Sequence, residues 1–296
     1  MPTRQGDVCC SRCSVFEISV CQNGNPFTLR SDCEYDLDFF RYSMLKYGDY
    51  ESTQFYGRLI AQMMVKRLGV HALRNSWICA SPYKTVATTA VSLLNVALVH
   101  LARAGCAPLG VVKLDRRVLA FADYATMTAE ERIKSTETRA VSVPAATTQQ
   151  LLHAGLQHNK LIVLDDARIG GNTERATIKA LRDCGINDVK YVYLTLLNGA
   201  ADSRIETTLN SYAVRCLDDL ARLFGPGHYL NARTCKRVLR GSPDEIVRFA
   251  DAVPNKLDEL ISAIVADGYH LMPQAWPACH QLGIDVSYLS TPSTTA

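Results

Sequence analysis

Residues 161–173 read Leu-Ile-Val-Leu-Asp-Asp-Ala-Arg-Ile-Gly-Gly-Asn-Thr. Four apolar residues run straight into two carboxylates, then a glycine turn and a threonine. The apolar run fits a buried parallel strand. The turn at 170–173 ends it, and Glu174 to Asp183 has helical character. Strand, acidic pair, glycine turn and helix together suit a sugar phosphate. Backbone N–H groups at a helix start bind a phosphate, and acids at a strand end accept hydrogen bonds from a ribose diol. Adjacent carboxylates repel one another, so Asp165 beside Asp166 is a poor choice for a purely structural strand end. A phosphate-loop nucleotide site would need G-x-x-x-x-G-K-[ST], and the chain holds no Gly-Lys pair. Receiver domains carry paired acids without this glycine turn and threonine.

The surrounding pattern alternates. Phe16 to Val20 and Phe27 to Arg30 flank Gln22-Asn23-Gly24-Asn25, a hairpin signal. Helices are expected over Asp36–Lys46, Ser52–Leu68 and Thr85–Ala104, and strands at Trp77–Ala80, Leu109–Leu114 and Val189–Leu197. A long polar stretch, 115–150, precedes the motif; loops of such length inside a domain are usually functional or disordered. Alternating strand and helix argue for an α/β fold with a parallel sheet flanked by helices. After Asn198, Ile205–Phe224 and Glu245–Ala266 read as amphipathic helices. The expected organisation is a Cys-rich segment with a hairpin over 1–35, an α/β core over 36–199 and a mainly helical C-terminal subdomain over 200–296.

The motif resembles the phosphoribosyl-pyrophosphate signature of type I phosphoribosyltransferases: four apolar residues, two acids, four residues ending in a small one, Gly, any residue, Thr. Asp123-Tyr124-Ala125, Ala129 to Arg132, Ile205-Glu206 through Asn210, and Leu230 to Arg233 with Lys236 are similar to the ComF-like phosphoribosyltransferases of tellurite-resistance-type operons. The resemblance implies a type I phosphoribosyltransferase-like sheet and an enzyme that moves a phosphoribosyl group to or from a nucleobase-like acceptor. It implies catalytic roles for Asp165, Asp166, Arg116 and Arg117. Phosphoribosyl pyrophosphate would lie on Ser81, Tyr83, Lys84, Asp165, Asp166, Arg168, Ile169, Gly170, Gly171, Asn172 and Thr173. Ser81 to Thr85 stands in the place of the family's pyrophosphate loop, with Lys84 supplying charge and the following helix start supplying amides. The stretch 115–150, with Arg116, Arg117, Tyr124, Arg132, Lys134 and Arg139, stands in the place of its mobile loop. Mg²⁺ would come with the pyrophosphate, which leaves few ligands for the protein to provide.

Some residues depart from that pattern. Ile169 stands where purine-salvage members carry an Asp that acts on the base, and an isoleucine cannot transfer a proton. Gly170 replaces the usual hydroxyl residue. Arg168 is unusual there; it either reaches the acceptor or pairs with Asp165. Tyr42, Phe55, Trp77 and His228 are aromatic candidates for stacking a base, each also a natural core residue.

Composition bounds the rest. Apolar residues make up 48% of 296, enough for a sizeable core, and a net charge of +3 without a strong basic run argues against a nucleic-acid partner. No signal-peptide pattern opens the chain, and Thr85 to Ala102 reads as a buried helix, not a membrane span; a cytoplasmic protein is expected. Of 11 cysteines, Cys10 and Cys13 have C-x-x-C spacing, which can hold half a zinc site, but no second close pair follows; reduced thiols and no assigned metal ligand are expected, with zinc at the N-terminal cysteines left open. Oligomeric state stays open, with a homodimer allowed. Two other readings remain: a non-catalytic sensor of phosphoribosyl pyrophosphate, and an unrelated α/β protein whose acids bind a metal.

Overall fold

A computed structural model describes residues 11–21, 25–116, 141–153, 160–197 and 203–289. Its centre is a six-stranded sheet in the order β2-β1-β8-β7-β3-β4, formed by β1 (Ser11–Val20), β2 (Pro26–Ser31), β3 (Ser76–Ala80), β4 (Gly110–Val111), β7 (Lys160–Arg168) and β8 (Val189–Leu197). Within this sheet, among the described residues, only the β1–β2 pair is antiparallel. A separate short pair joins β5 (Asp115–Arg116) to β6 (Val141–Ser142).

Alternation along the central strands sorts side chains onto two faces. Ile162, Leu164, Val192 and Leu194 pack with α1 (Phe39–Lys46), α2 (Tyr50–Leu68) and α4 (Thr89–Arg103). Leu161, Val163, Tyr191 and Tyr193 pack on the other face with Leu181 of α6 (Asn172–Asp183) and Leu151 of α5 (Ala145–His153). The short α3 (Val70–Arg74) leads into β3. The α1 and α2 starts are fixed by Asp38 and Asp49, whose carboxylates accept from the amides of Arg41 and Ser52.

The C-terminal helices α7 (Ser203–Asn210), α8 (Leu217–Ala221), α9 (Ala232–Val238), α10 (Pro243–Ala252), α11 (Pro254–Asp267) and α12 (Trp276–Gln281) follow. Those from α8 onward share a core of their own, centred on Leu220, Val238, Phe249, Leu260 and Ile264, which Tyr47 and Val86 enter from the sheet domain. Backbone bonds seal that junction: Tyr229 N–H to Gly48 O at 2.8 Å and Ala232 N–H to Ala87 O at 2.9 Å.

Several boundaries differ from those the sequence suggests. The hairpin is part of the main sheet, because β1 runs on to Ser11 and pairs parallel with β8. The expected strand 109–114 is paired with β3 only at Gly110–Val111, as befits an exposed edge. Helix α4 starts at Thr89, four residues late, because the amides of Thr85 and Val86 bond to Asp267. The helix expected over 205–224 is broken between Asn210 and Leu217. That over 245–266 is broken at Val253, since a residue before proline is pushed out of the helical region. The stretch 115–150 holds β5, β6 and the start of α5; its middle lies outside the described residues. Among the described residues no helix is long and apolar enough to cross a membrane.

Candidate active site

Strand β7 does not stop at its acids. Asp165, Ala167 and Arg168 remain paired with Tyr193, Thr195 and Leu196 of β8. Period-two alternation therefore continues and sends the two carboxylates to opposite faces. Asp166 follows Ile162 and Leu164 toward α1 and meets Lys46 in a direct ion pair, the two side chains only 13% and 6% exposed. Burial opposes charge on both, but their mutual attraction prevails: Asp166 is held below the usual carboxylate range and Lys46 above the usual lysine range. Asp165 follows Leu161 and Val163 toward the other face. Burial and the neighbouring Asp166 push it up to about 8, against a hydrogen bond from Ser81. Two adjacent aspartates thus differ sharply in proton affinity because one has an ammonium partner and the other has not.

Beyond the acids the chain turns at Gly171, which takes the left-handed conformation at φ 69° and caps α6. The left-handed φ favours glycine, and the missing β-carbon leaves room for the Arg168 guanidinium, whose nearest nitrogen lies 2.8 Å from where that carbon would stand. Arg168 pairs with Glu174 through Nε at 2.8 Å and not with Asp165. Glu174 is 2% exposed and also receives Arg12 Nε at 2.8 Å and the Tyr193 hydroxyl at 2.6 Å. Burial resists its charge, yet these donors keep it low. The network holds a cation over the turn. The amides of Gly170, Gly171 and Thr173 donate to no acceptor among the described residues, so they are available at a helix N-terminus.

Acids, turn and helix start share one cavity of about 240 Å³. Ser81, Arg116, Asp165, Asp166 and every residue from Ala167 to Thr173 line it. The Arg116 guanidinium is recessed there; burial lowers its proton affinity and the charge of Asp165 opposes that. Tyr83 and Lys84 are not on this wall. Lys84 Nζ donates to Asp267 O at 2.8 Å, and Lys113 Nζ lies 4.8 Å over the Tyr83 ring. Arg117, Tyr124, Arg132, Lys134 and Arg139, like Asp123 and Cys10, lie outside the described residues.

A family model described as PRTase ComF-like matches residues 19–276, most of the chain and all of this cavity. The chain belongs to the ComF-like phosphoribosyltransferase family. Its function is thus of the phosphoribosyltransferase type, in a family of transferases, and the mostly parallel sheet with flanking helices fits that fold. No curated protein matches the chain.

Against that family assignment, two groups on the cavity wall were not legible as site residues. Lys46 closes a helix that reads as ordinary, and nothing in the sequence joins it to Asp166. Arg233, Lys236, Arg237 and Arg240 come from α9 and the residues just after it, at i, i+3, i+4 and i+7 spacing. That spacing marks a basic helix face in the sequence, but such a face is ordinarily solvated. The aromatic candidates do not stand on the wall. Tyr42 is 1% exposed, and Trp77 packs against Gly110. Phe55 packs on Tyr56 and Arg41. His228 is buried with Nε2 2.8 Å from Tyr47 O and its ring on Phe224. Cys13 lies in β1 with its thiol directed at Tyr191 O, and burial raises it to about 11, which makes it a poor thiolate. Among the described residues no cluster of three metal-ligating side chains occurs.

Proposed function

We propose that this protein transfers a phosphoribosyl group between phosphoribosyl pyrophosphate and a nucleobase-like acceptor. The observation that carries the reading is the convergence, in one cavity, of an acid pair with unlike proton affinities and a helix start with open amides. In the reaction the bond from the anomeric carbon to a diphosphate oxygen breaks with its electron pair on the oxygen, a bond to an acceptor nitrogen forms, and any proton on that nitrogen passes to water. Positive charge grows on the ribose ring between these events. A protein contributes by positioning and by fixed charge.

Each wall of the cavity has a part in that scheme. Asp166, kept ionised by Lys46, accepts from a ribose hydroxyl and faces the developing cation. Asp165, whose proton affinity burial and the neighbouring Asp166 raise, exchanges hydrogen bonds with the ring diol. The amides of Gly170, Gly171 and Thr173, with the Thr173 hydroxyl and the Arg168 charge, hold the 5′-phosphate. Arg116 neutralises the leaving diphosphate. Asp165 and Asp166 are the carboxylates nearest the reacting end, and one is committed to Lys46. This donor set would give a Mg²⁺ few protein ligands, Asp165 and Asp166 at most, and the ion would supply neutralisation of the leaving group. Ile169 offers no proton acceptor to the incoming base, which favours an acceptor whose nitrogen is already deprotonated or loses its proton readily to water.

Phosphorus NMR of phosphoribosyl pyrophosphate with Mg²⁺ and a panel of nucleobases tests the reading. Diphosphate should appear with one class of acceptor, and Asp165→Asn should abolish it while the variant still unfolds in one cooperative transition. Unchanged turnover in that variant would remove Asp165 from the chemistry.

A further inference from the structure

The loop after β3 has little left to offer an anion. Ser81 N–H is bonded to Leu164 O at 2.8 Å, and Tyr83 N–H to Leu114 O at 3.3 Å. Thr85 N–H and Val86 N–H both go to Asp267 Oδ1, at 2.9 and 2.8 Å. Pro82 has no N–H to give. A carboxylate from α11 therefore already occupies the amide donors at this strand end, and Lys84 is drawn to the same residue.

The unmet donors lie elsewhere on the cavity. Thr88 Oγ1, Arg116 Nε and Arg237 Nε are buried polar atoms without a hydrogen-bond partner among the described residues, and all three residues line the cavity. Each can donate, and each would be costly to leave unmet. They come from the start of α4, from β5 and from α9, three elements separate from the β7–α6 turn. The α9 row adds charge beside them. Arg233 is paired with Glu206 at 3.2 Å, and Lys236 lies 5.8 Å over the Tyr269 ring. In all, seven basic and four acidic residues line the cavity. The excess suits a ligand with several negative charges at the end away from the turn.

We infer that Thr88, Arg116 and the α9 row Arg233–Arg240 form a second anion subsite that takes the diphosphate group, in place of the 81–86 loop. Naming the group as the sugar's diphosphate rests on the reaction proposed above; the subsite itself rests on the orphan donors and their charge. The C-terminal subdomain is then part of the substrate site and not an appendage to it: α11 closes the loop, and α9 supplies what the loop would have supplied.

Calorimetric titration with inorganic pyrophosphate and, separately, ribose 5-phosphate tests this on the full chain. The variants are Lys236→Ala with Arg240→Ala, and Thr88→Val, a near-isosteric loss of one hydroxyl. The double variant should bind pyrophosphate at least about tenfold more weakly, since charge-assisted hydrogen bonds are at stake. Thr88→Val should bind it severalfold more weakly, and ribose 5-phosphate should bind all three proteins alike. Wild-type protein that fails to bind pyrophosphate, or variants that bind it undiminished, would overturn the subsite. Loss of ribose 5-phosphate with pyrophosphate retained would also overturn it, by giving the row to the 5′-phosphate. Binding of pyrophosphate but not ribose 5-phosphate by the wild type, with the variant effect present, would sustain the subsite and sink the phosphoribosyl reading instead. Should the double variant fail to fold, Thr88→Val decides.

Discussion

Two neighbouring strands of one sheet, β3 and β7, both end in a turn that leads to a helix, and they have opposite fates. At the end of β7, Gly171 caps α6, the amides of Gly170, Gly171 and Thr173 meet no acceptor among the described residues, and Arg168 holds positive charge above them. At the end of β3, the Asp267 carboxylate takes the amides of Thr85 and Val86, and α4 does not begin until Thr89. Sheet geometry offers each turn to a ligand. What separates them is the C-terminal subdomain, which fills one turn and faces the other with the cations of α9. A strand-end turn is a binding site only when no other part of the chain has already satisfied it.

Lys46→Met should have the largest effect on stability. It leaves Asp166 ionised and nearly buried without its partner, and breaking such a pair costs about 3–5 kcal/mol. Denaturant unfolding checks this, and Lys46→Met with Asp166→Leu should recover most of the loss while abolishing sugar-phosphate binding. A Lys46→Met protein as stable as wild type would remove the ion pair from the account. Asp166→Asn should also lower stability, because it strands the buried Lys46 ammonium.

Asp267→Ala should come next, at about 1–3 kcal/mol for two amides left without their acceptor. Its melting temperature should fall, while pyrophosphate affinity should not, because the diphosphate does not depend on that carboxylate. A fall in pyrophosphate affinity would show that the 81–86 loop binds it after all.

A further effect concerns pH. Asp165 holds its proton up to about 8 in the folded chain against an ordinary value of 3.8. Between those values the folded state binds more protons than the unfolded one, so this group's contribution to stability declines as pH rises from about 4 to 8. Lys46, Ser81, Arg116 and Asp166 are the groups that face it. Asp165→Asn should flatten that decline, most visibly in melting temperatures compared at pH 5 and pH 8.5. Equal slopes for the two proteins would place Asp165 in a more polar setting.

Much of the architecture was legible in the chain. The motif strand, its turn and α6 follow from an apolar run, two glycines and an amphipathic period, all local signals. The hairpin was visible from Asn-Gly, yet its membership of the main sheet was not, because pairing between β1 and β8 spans most of the core sequence. The acids were visible as a pair, but their different roles depend on strand alternation past Leu164 and on Lys46, which lies 120 residues away. Lys84 looked like a pyrophosphate ligand from its place after β3; its partner Asp267 is 183 residues downstream, beyond any local pattern. The α9 cations were present as a spaced row, and only the packing of the C-terminal core turns that row into a cavity wall.

The central claim is that the cavity between β7, α1 and α9 binds phosphoribosyl pyrophosphate. Calorimetric titration of the full chain with that compound, with and without Mg²⁺, tests it most directly. Micromolar binding, strengthened by Mg²⁺ and lost in Asp165→Asn, is the result the account requires. No binding in either condition would contradict it and leave the acid pair and its glycine turn without the ligand assigned to them.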